Sequence, residues 1–225
     1  MRPPAIETPI ALDAGALARG LRVLSRRDPD LARIQKTIGA PPMWARRPGF
    51  STLVHIILEQ QVSLASARAA FNRLRGAITP LTPGRFLQLD DATLKAIGFS
   101  RQKAGYCRGL ARAVVDRQLN LAALKTMDDA AVRAELLRIK GIGDWSVDIY
   151  LLMALRRPDI WPKGDLALAI AAQKLKRLAS RPTPNELEGL GKAWQPWRAV
   201  AARLLWHYYL SPVPKREWRA DGLGG

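Results

Sequence analysis

Apolar residues recur three and four positions apart along most of the chain, and the alternation of a half-buried strand is almost absent. The pattern predicts an all-α protein of about ten helices. Residues 15–38 read as one helical stretch closed by Gly39 and the Pro41-Pro42 pair. Residues 50–60 follow, with Ser51 or Thr52 available to cap the start. Ser63 opens a helix through Ala65, Ala69, Phe71 and Leu74 that ends at Gly76. Shorter helices are predicted over 83–89 and, capped by Asp90 or Asp91, up to Ile97. Residues 101–118 and 128–139 complete the run to a Gly141-Ile142-Gly143 turn. After it, 145–155 is apolar nearly all round, the mark of a buried central helix. Pro158 and Pro162 mark a loop before 166–178, and Arg181-Pro-Thr-Pro-Asn185 interrupts the chain before 186–190. The last long helix spans about 197–209. Beyond Ser211 the chain is rich in proline, charge and glycine and reads as a peripheral tail, 211–225.

A chain of 225 residues, 48% of them hydrophobic, can bury the core of one large domain or of two small lobes. Lys and Arg exceed Asp and Glu by 36 to 19, for a net charge of +17. No block of five or six like charges occurs, so the charge decorates a folded surface and not a tail. Such a surface meets a polyanion; the plainer alternative is a basic surface kept for solubility. One cysteine, Cys107, excludes a disulfide framework and a cluster held by four thiolates. His55 and His207 match no zinc spacing. The first residues lack the apolar core of a signal peptide, and the longest apolar run, near 150–155, is too short to span a bilayer. The expectation is a cytoplasmic, nucleoid-associated protein with a nucleic-acid partner and no membrane contact.

Two features in the segment 136–168 carry chemistry. In Ile139-Lys-Gly-Ile-Gly-Asp-Trp-Ser146 two glycines let the backbone approach an anion while Ile142 plugs the core. Free N–H groups at the following helix start then face a phosphate oxygen, an arrangement that grips backbone without reading sequence. The plainer reading is a turn that only ends one helix and starts the next. Downstream, Pro162-Lys-Gly-Asp165-Leu puts one acid at a helix N-terminus, where the helix dipole favours its negative charge. Cleavage of an N-glycosidic bond builds positive charge on the sugar, which a fixed anion stabilises. Ordinary glycosidases need a second acid to protonate the leaving group, but an alkylated, cationic base leaves unaided. Alone, Asp165 would read as a helix N-cap.

Trp194-Gln-Pro-Trp197-Arg198 leads into a helix on which Trp197, Ala201, Leu204 and Tyr208 share one face and Trp206 points almost oppositely. One side faces core and the other a cleft. Electron-rich indoles stack on a flipped, positively charged base. Trp206 and Trp145 are the cleft candidates; Trp44, Trp194 and Trp197 read as ordinary core.

With these motifs in order, the chain resembles the helix-hairpin-helix (HhH-GPD) DNA glycosylases, and within them the 3-methyladenine DNA glycosylase II (AlkA-like) group. The likeness covers about 45–210 and rests on ILEQQVS at 57–63, GFSRQKA at 98–104, the hairpin at 137–147, WPKGDLAL at 161–168 and WQPWRAVAARLLW at 194–206. The resemblance implies two helical lobes around a DNA-binding cleft, one of residues 48–156 and one combining 1–47 with 157–225. It implies that Asp165 is catalytic and that Trp206 and Trp145 line the base pocket. It implies backbone-phosphate contacts at Gly141, Gly143 and Ser146, and a wedge at Gln61 filling the gap left by the flipped nucleotide. It also implies a monovalent cation, Na+ or K+, on the carbonyls of Leu137, Ile139 and Ile142, with no other cofactor and no iron–sulfur cluster.

The chain departs from the group's pattern at four points. Gln61 is polar where the wedge is apolar, and Lys140 replaces a proline while adding charge beside the phosphate. Ile149 stands where a pocket tyrosine often lies, with Tyr150 one place later taking that role. Too few residues precede the shared region for a β-rich N-terminal domain. Bifunctional relatives attack with a lysine two residues after the second hairpin glycine; here Trp145 stands there, which points to water as nucleophile and no lyase step. The expected function is a monomeric, monofunctional glycosylase that excises 3-methyladenine- and 7-methylguanine-type bases from damaged double-stranded DNA. The alternatives are a glycosylase for deaminated or oxidised bases, and a non-catalytic helix-hairpin-helix DNA-binding protein.

Overall fold

In the computed structural model, which describes residues 11–212, the stretch predicted as one helix over 15–38 is two, α1 (Ala14–Arg27) and α2 (Pro29–Ile38). The break is Asp28-Pro29. Asp28 turns extended, returns its N–H to Leu24, and accepts the N–H groups of Asp30 and Leu31 as the cap of α2. Pro29, with no N–H to give, suits the first position of a new helix and cannot continue an old one. The apolar spacing runs through the break because both helices bury residues in the same core, among them Leu17, Leu21, Leu31 and Ile34.

The other helices are α3 (Phe50–Glu59), α4 (Leu64–Ala77), α5 (Pro83–Leu87), α6 (Asp91–Ile97), α7 (Arg101–Val115), α8 (Asp129–Leu137), α9 (Asp144–Ile149), α10 (Leu166–Lys176), α11 (Pro184–Lys192) and α12 (Arg198–Leu210). Twelve α-helices and no strand occur among the described residues. Side-chain caps start most of them: Ser63, Asp90, Ser100, Asp128 and Thr183 each accept a backbone N–H from the first turn. Helix α3 is an exception, and neither Ser51 nor Thr52 caps it. Gly49 takes the cap position without a side-chain bond, and the Thr52 hydroxyl donates instead to the Arg47 carbonyl at 2.6 Å. The expected tail falls almost wholly outside the described residues.

Helix α3 packs against α4, α7 and α9; helix α12 packs against α1, α2, α10 and α11. Each is therefore the spine of one group of helices, and the burial of α12 on nearly every side, from Ala199 to Trp206, follows from that place.

The buried helix predicted over 145–155 does not stay α. After α9 it widens into a π-turn, Tyr150–Ala154, in which the Leu155 N–H reaches back five residues to the Tyr150 carbonyl at 3.1 Å. The turn leaves carbonyls open, and arginine and backbone donors fill them. Arg203, fully buried on α12, donates to Leu152 at 2.8 Å, to Ala199 at 2.9 Å and to Met43 at 2.9 Å; the Arg46 N–H donates to Met153 at 2.9 Å. Burial without an acidic partner pulls the Arg203 guanidinium down to about 10.

Asp28 ties the second group together. Its carboxylate accepts the Trp194 indole N–H at 2.8 Å and pairs with Lys176 at 2.6 Å. Burial pushes its pKa upward, but the hydrogen bonds from Lys176 and Trp194 outweigh that and hold it below the ordinary 3.8. A folded-state pKa below the unfolded one means stability that is present above pH 3.8 and lost as pH falls through the lower, folded value. Asp28→Asn, which keeps the cap and removes the charge, is expected to cost about 2 kcal/mol at pH 7. In urea titrations the difference between the two proteins should shrink below pH 4, roughly, and a constant difference down to pH 2, roughly, would rule the charge out as its source.

Candidate active site

Asp165 caps α10, and its carboxylate is where three elements meet. Oδ1 accepts the Leu168 backbone N–H at 2.9 Å and the Trp206 indole N–H at 3.2 Å, while Oδ2 accepts the Trp145 indole N–H at 2.8 Å. The carboxylate is only 7% exposed, Trp206 is buried to the same degree and Trp145 is half-buried. An ionised carboxylate has about four acceptor positions. Three are filled, so Oδ2 keeps one for a water or a substrate. Asp165 is both the helix cap that the plain reading expects and the acceptor for both predicted indoles.

The loop that carries Asp165 is also held from α9. The Asp148 carboxylate, 3% exposed, accepts the Lys163 N–H at 3.3 Å and pairs with Arg133, which also bonds Asp144 at 2.9 Å. Burial raises the pKa of Asp148, and the Arg133 guanidinium opposes the rise. Trp145 and Asp148 lie three positions apart on α9, so one helix face holds both ends of the Lys163–Asp165 segment.

The hairpin turn lies between α8 and α9. Ile142 is buried as predicted, Lys140 and Gly143 are exposed, and Gly141 sits at φ +94°. A Cβ on Gly141 would lie 2.1 Å from the Tyr106 ring, so this position requires glycine twice over. Ser146, expected at a phosphate, is 2% exposed, and its hydroxyl faces inward and accepts the Gln60 amide N–H at 2.9 Å. The carbonyl of Ile139 takes the Ile142 N–H at 3.0 Å, whereas no backbone hydrogen bond outside the helices reaches those of Leu137 or Ile142. Among the described residues no three His, Cys, Asp or Glu side chains converge as metal ligands.

Gln61 is exposed at φ +56°, with Val62 and Leu64 exposed beside it. The turn is anchored by residues that helical periodicity does not flag. Gln60 bonds the Gly141 carbonyl at 2.8 Å as well as Ser146, and the Lys103 ammonium closes the end of α3 on the carbonyls of Leu58 and Gln60, both at 2.7 Å. Lys103 lies in the GFSRQKA motif and Gln60 beside the wedge position, which is the only signal the sequence offers for them.

Two aromatic residues are buried to other degrees than expected. Tyr150, expected in the base pocket, is fully buried; its hydroxyl accepts the Gly49 N–H at 3.1 Å, and burial raises its pKa to about 12. It fastens the start of α3. Trp44, expected in the core, is half-buried and stands edge-on to Trp206, with ring centres 6.4 Å apart and planes at 76°. Trp194 is core as expected, and Trp197 packs on Gly20 of α1.

The site thus joins a hairpin turn with exposed backbone to one carboxylate held between two indoles, within an all-helical fold. Residues 54–196 match the HhH-GPD superfamily base excision DNA repair protein family, and the chain belongs to that family. DNA-3-methyladenine glycosylase 1 of Schizosaccharomyces pombe is 27% identical over 207 residues, covering 86% of this chain and 91% of that protein. The Bacillus subtilis protein YfjP is 27% identical over 165 residues, and the chain spans 58% of its length. Among solved structures, the S. pombe 3-methyladenine DNA glycosylase in complex with abasic DNA superimposes with a TM-score of 0.78 at 26% identity, covering 84% of this chain and 95% of that one. No helix of the described residues is long and apolar enough to cross a membrane.

Proposed function

We propose that this protein is a monofunctional DNA glycosylase that removes alkylated purines of the 3-methyladenine and 7-methylguanine type from double-stranded DNA. The observation that carries the reading is the single carboxylate of Asp165, oriented by the N–H groups of Trp145 and Trp206. The hairpin holds the phosphate backbone through the N–H groups around Gly141 and Gly143, with Lys140 adding charge. Gln61, or Val62 next to it, fills the stack when the damaged nucleotide turns out. Asp165 then stabilises the positive sugar as the cationic base leaves, and the remaining acceptor position on Oδ2 orients the water that completes hydrolysis. Trp145 occupies the place of the lyase lysine and spends its N–H on Asp165, so no Schiff base forms. A monovalent cation on the carbonyls of Leu137, Ile139 and Ile142 would add positive charge beside the bound phosphate. The proposal extends to a monomer with lobes at 48–156 and at 1–47 with 157–225, acting in the cytoplasm at the nucleoid.

Names of relatives support the substrate class: the S. pombe enzyme, matched over most of both chains, is a DNA-3-methyladenine glycosylase. The test is a panel of duplexes carrying methylated, deaminated or oxidised bases, scored for alkali-labile abasic sites. Release is expected from the methylated duplexes, without strand cleavage before alkali. Release confined to deaminated or oxidised bases would replace the substrate class, and none at all despite duplex binding would leave a binding protein.

A further inference from the structure

We propose that Gln60 and Lys103 are positioning residues that join the hairpin turn to Gln61, so that grip on the phosphate backbone holds Gln61 in the shape that fills the stack; this rests on the stack-filling reading of Gln61 above. The Gln60 amide nitrogen donates twice to the hairpin, to the Gly141 carbonyl at 2.8 Å and to the Ser146 hydroxyl at 2.9 Å. Those acceptors frame the turn: Gly141 is its left-handed corner, at φ +94°, and Ser146 lies on the first turn of α9. The bonds cross 81 and 86 positions of sequence, so nothing local to α3 produces them. The next residue, Gln61, sits at φ +56°, a conformation that a residue with a side chain rarely takes unless its surroundings enforce it. Gln61 is exposed and makes no side-chain hydrogen bond among the described residues. The enforcement therefore comes through Gln60.

The second anchor comes from α7. The Lys103 ammonium donates to the carbonyls of Leu58 and Gln60, both at 2.7 Å, at the end of α3 where carbonyls lack helical partners. Three positions along the same face, the Tyr106 ring packs so closely on Gly141 that a Cβ there would lie 2.1 Å from it. Helix α7 thus touches both turns, with an ammonium at one and a ring at the other. Gln60 is fixed at its carbonyl by Lys103 and at its amide by the hairpin, so neither turn can shift without the other. The two exposed segments, 61–62 and 140–143, form one clip. A phosphate that settles on the hairpin steadies the turn whose carbonyl Gln60 holds, and with it the backbone of Gln61.

The full chain is compared with Gln61→Ala, Gln60→Leu, the double variant of these two, Lys103→Met and Lys103→Arg. Each is titrated by fluorescence anisotropy against an intact duplex and against the same duplex carrying one tetrahydrofuran abasic analogue, and the ratio of the two affinities is read. The wild type should prefer the gapped duplex, and Gln61→Ala should lose about tenfold of that preference. Gln60→Leu and Lys103→Met should lose as much, and Lys103→Arg, which still donates to carbonyls, should keep part. The double variant should lose no more than either single one, because both act through one residue. A general loss of stability would weaken both duplexes alike and leave the ratio unchanged. Full preference in either Gln60→Leu or Lys103→Met, or losses that add in the double variant, overturns the coupling while the reading of Gln61 stands. An unchanged ratio in Gln61→Ala overturns the reading of Gln61 and the coupling with it. The analogue has no base to release, so a ratio that depends on Gln60 in a protein that frees no alkylated base keeps the coupling and sinks the glycosylase reading.

Discussion

Asp165→Asn is expected to lose base release by at least about 100-fold in single-turnover assays while binding duplex DNA as tightly as the wild type. Asparagine matches aspartate in size and caps helices as well, so the Leu168 N–H keeps an acceptor and the fold is preserved. The change falls on charge and on one contact. An amide offers one acceptor oxygen; if it stays with Leu168 and Trp206, the amide N–H groups face the indole N–H of Trp145, donor against donor. The substitution therefore removes the anion opposite the forming sugar cation and disturbs the group that aims it. Equal rates in the two proteins would show that the carboxylate is a helix cap and nothing more. Loss of duplex binding would place Asp165 in the DNA contact surface instead.

Gly141→Ala should be the most damaging single-methyl addition in the chain. The position sits at φ +94°, and the added carbon would lie 2.1 Å from the Tyr106 ring. The backbone conformation alone costs about 1–2 kcal/mol for a residue with a Cβ. Tyr106 cannot relieve the clash by swinging its ring aside, since its own Cβ would lie 2.6 Å from the added carbon. Displacing the turn also strains the Gln60 bond to the Gly141 carbonyl, so the Gln60–Gln61 segment moves with it. A fall of about 5 °C in Tm and at least about a tenfold loss of duplex affinity are expected. Gly143→Ala is the control. At φ −104° with nothing within 4 Å of the new carbon, it should keep the Tm of the wild type. Any loss of affinity there would report crowding at the phosphate, and a matched fall in Tm would contradict the geometry.

How much of this the sequence disclosed depends on whether the signal was local. Asp165 was legible because a glycine, an acid and an apolar helix follow one another directly. The Gly-Ile-Gly turn was legible for the same reason, and so was the burial of Ile142. The break at Asp28-Pro29 was missed although proline marks it, because apolar spacing on both sides pointed into one core. The π-turn was invisible, since its extra residue is set by what Arg203 and Arg46 offer to the freed carbonyls from distant parts of the chain. Tyr150 and Trp44 are buried to other degrees than expected for a related reason. An aromatic on an apolar helix and an aromatic in a loop differ in exposure only once the neighbouring helices are placed. Gln60 and Lys103 acquire meaning only when α3 ends beside the hairpin.

The single remaining acceptor position on Asp165 bears on safety as much as on rate. On the proposed mechanism one anion acts without a second acid, so an intact adenine or guanine that strays into the site would stay attached to its sugar. Discrimination then needs no perfect fit: the damaged base brings the instability that the protein withholds. On that mechanism genome-wide sampling would be tolerable because the catalyst is weak, and a second acid beside Asp165 would make it a hazard to healthy DNA.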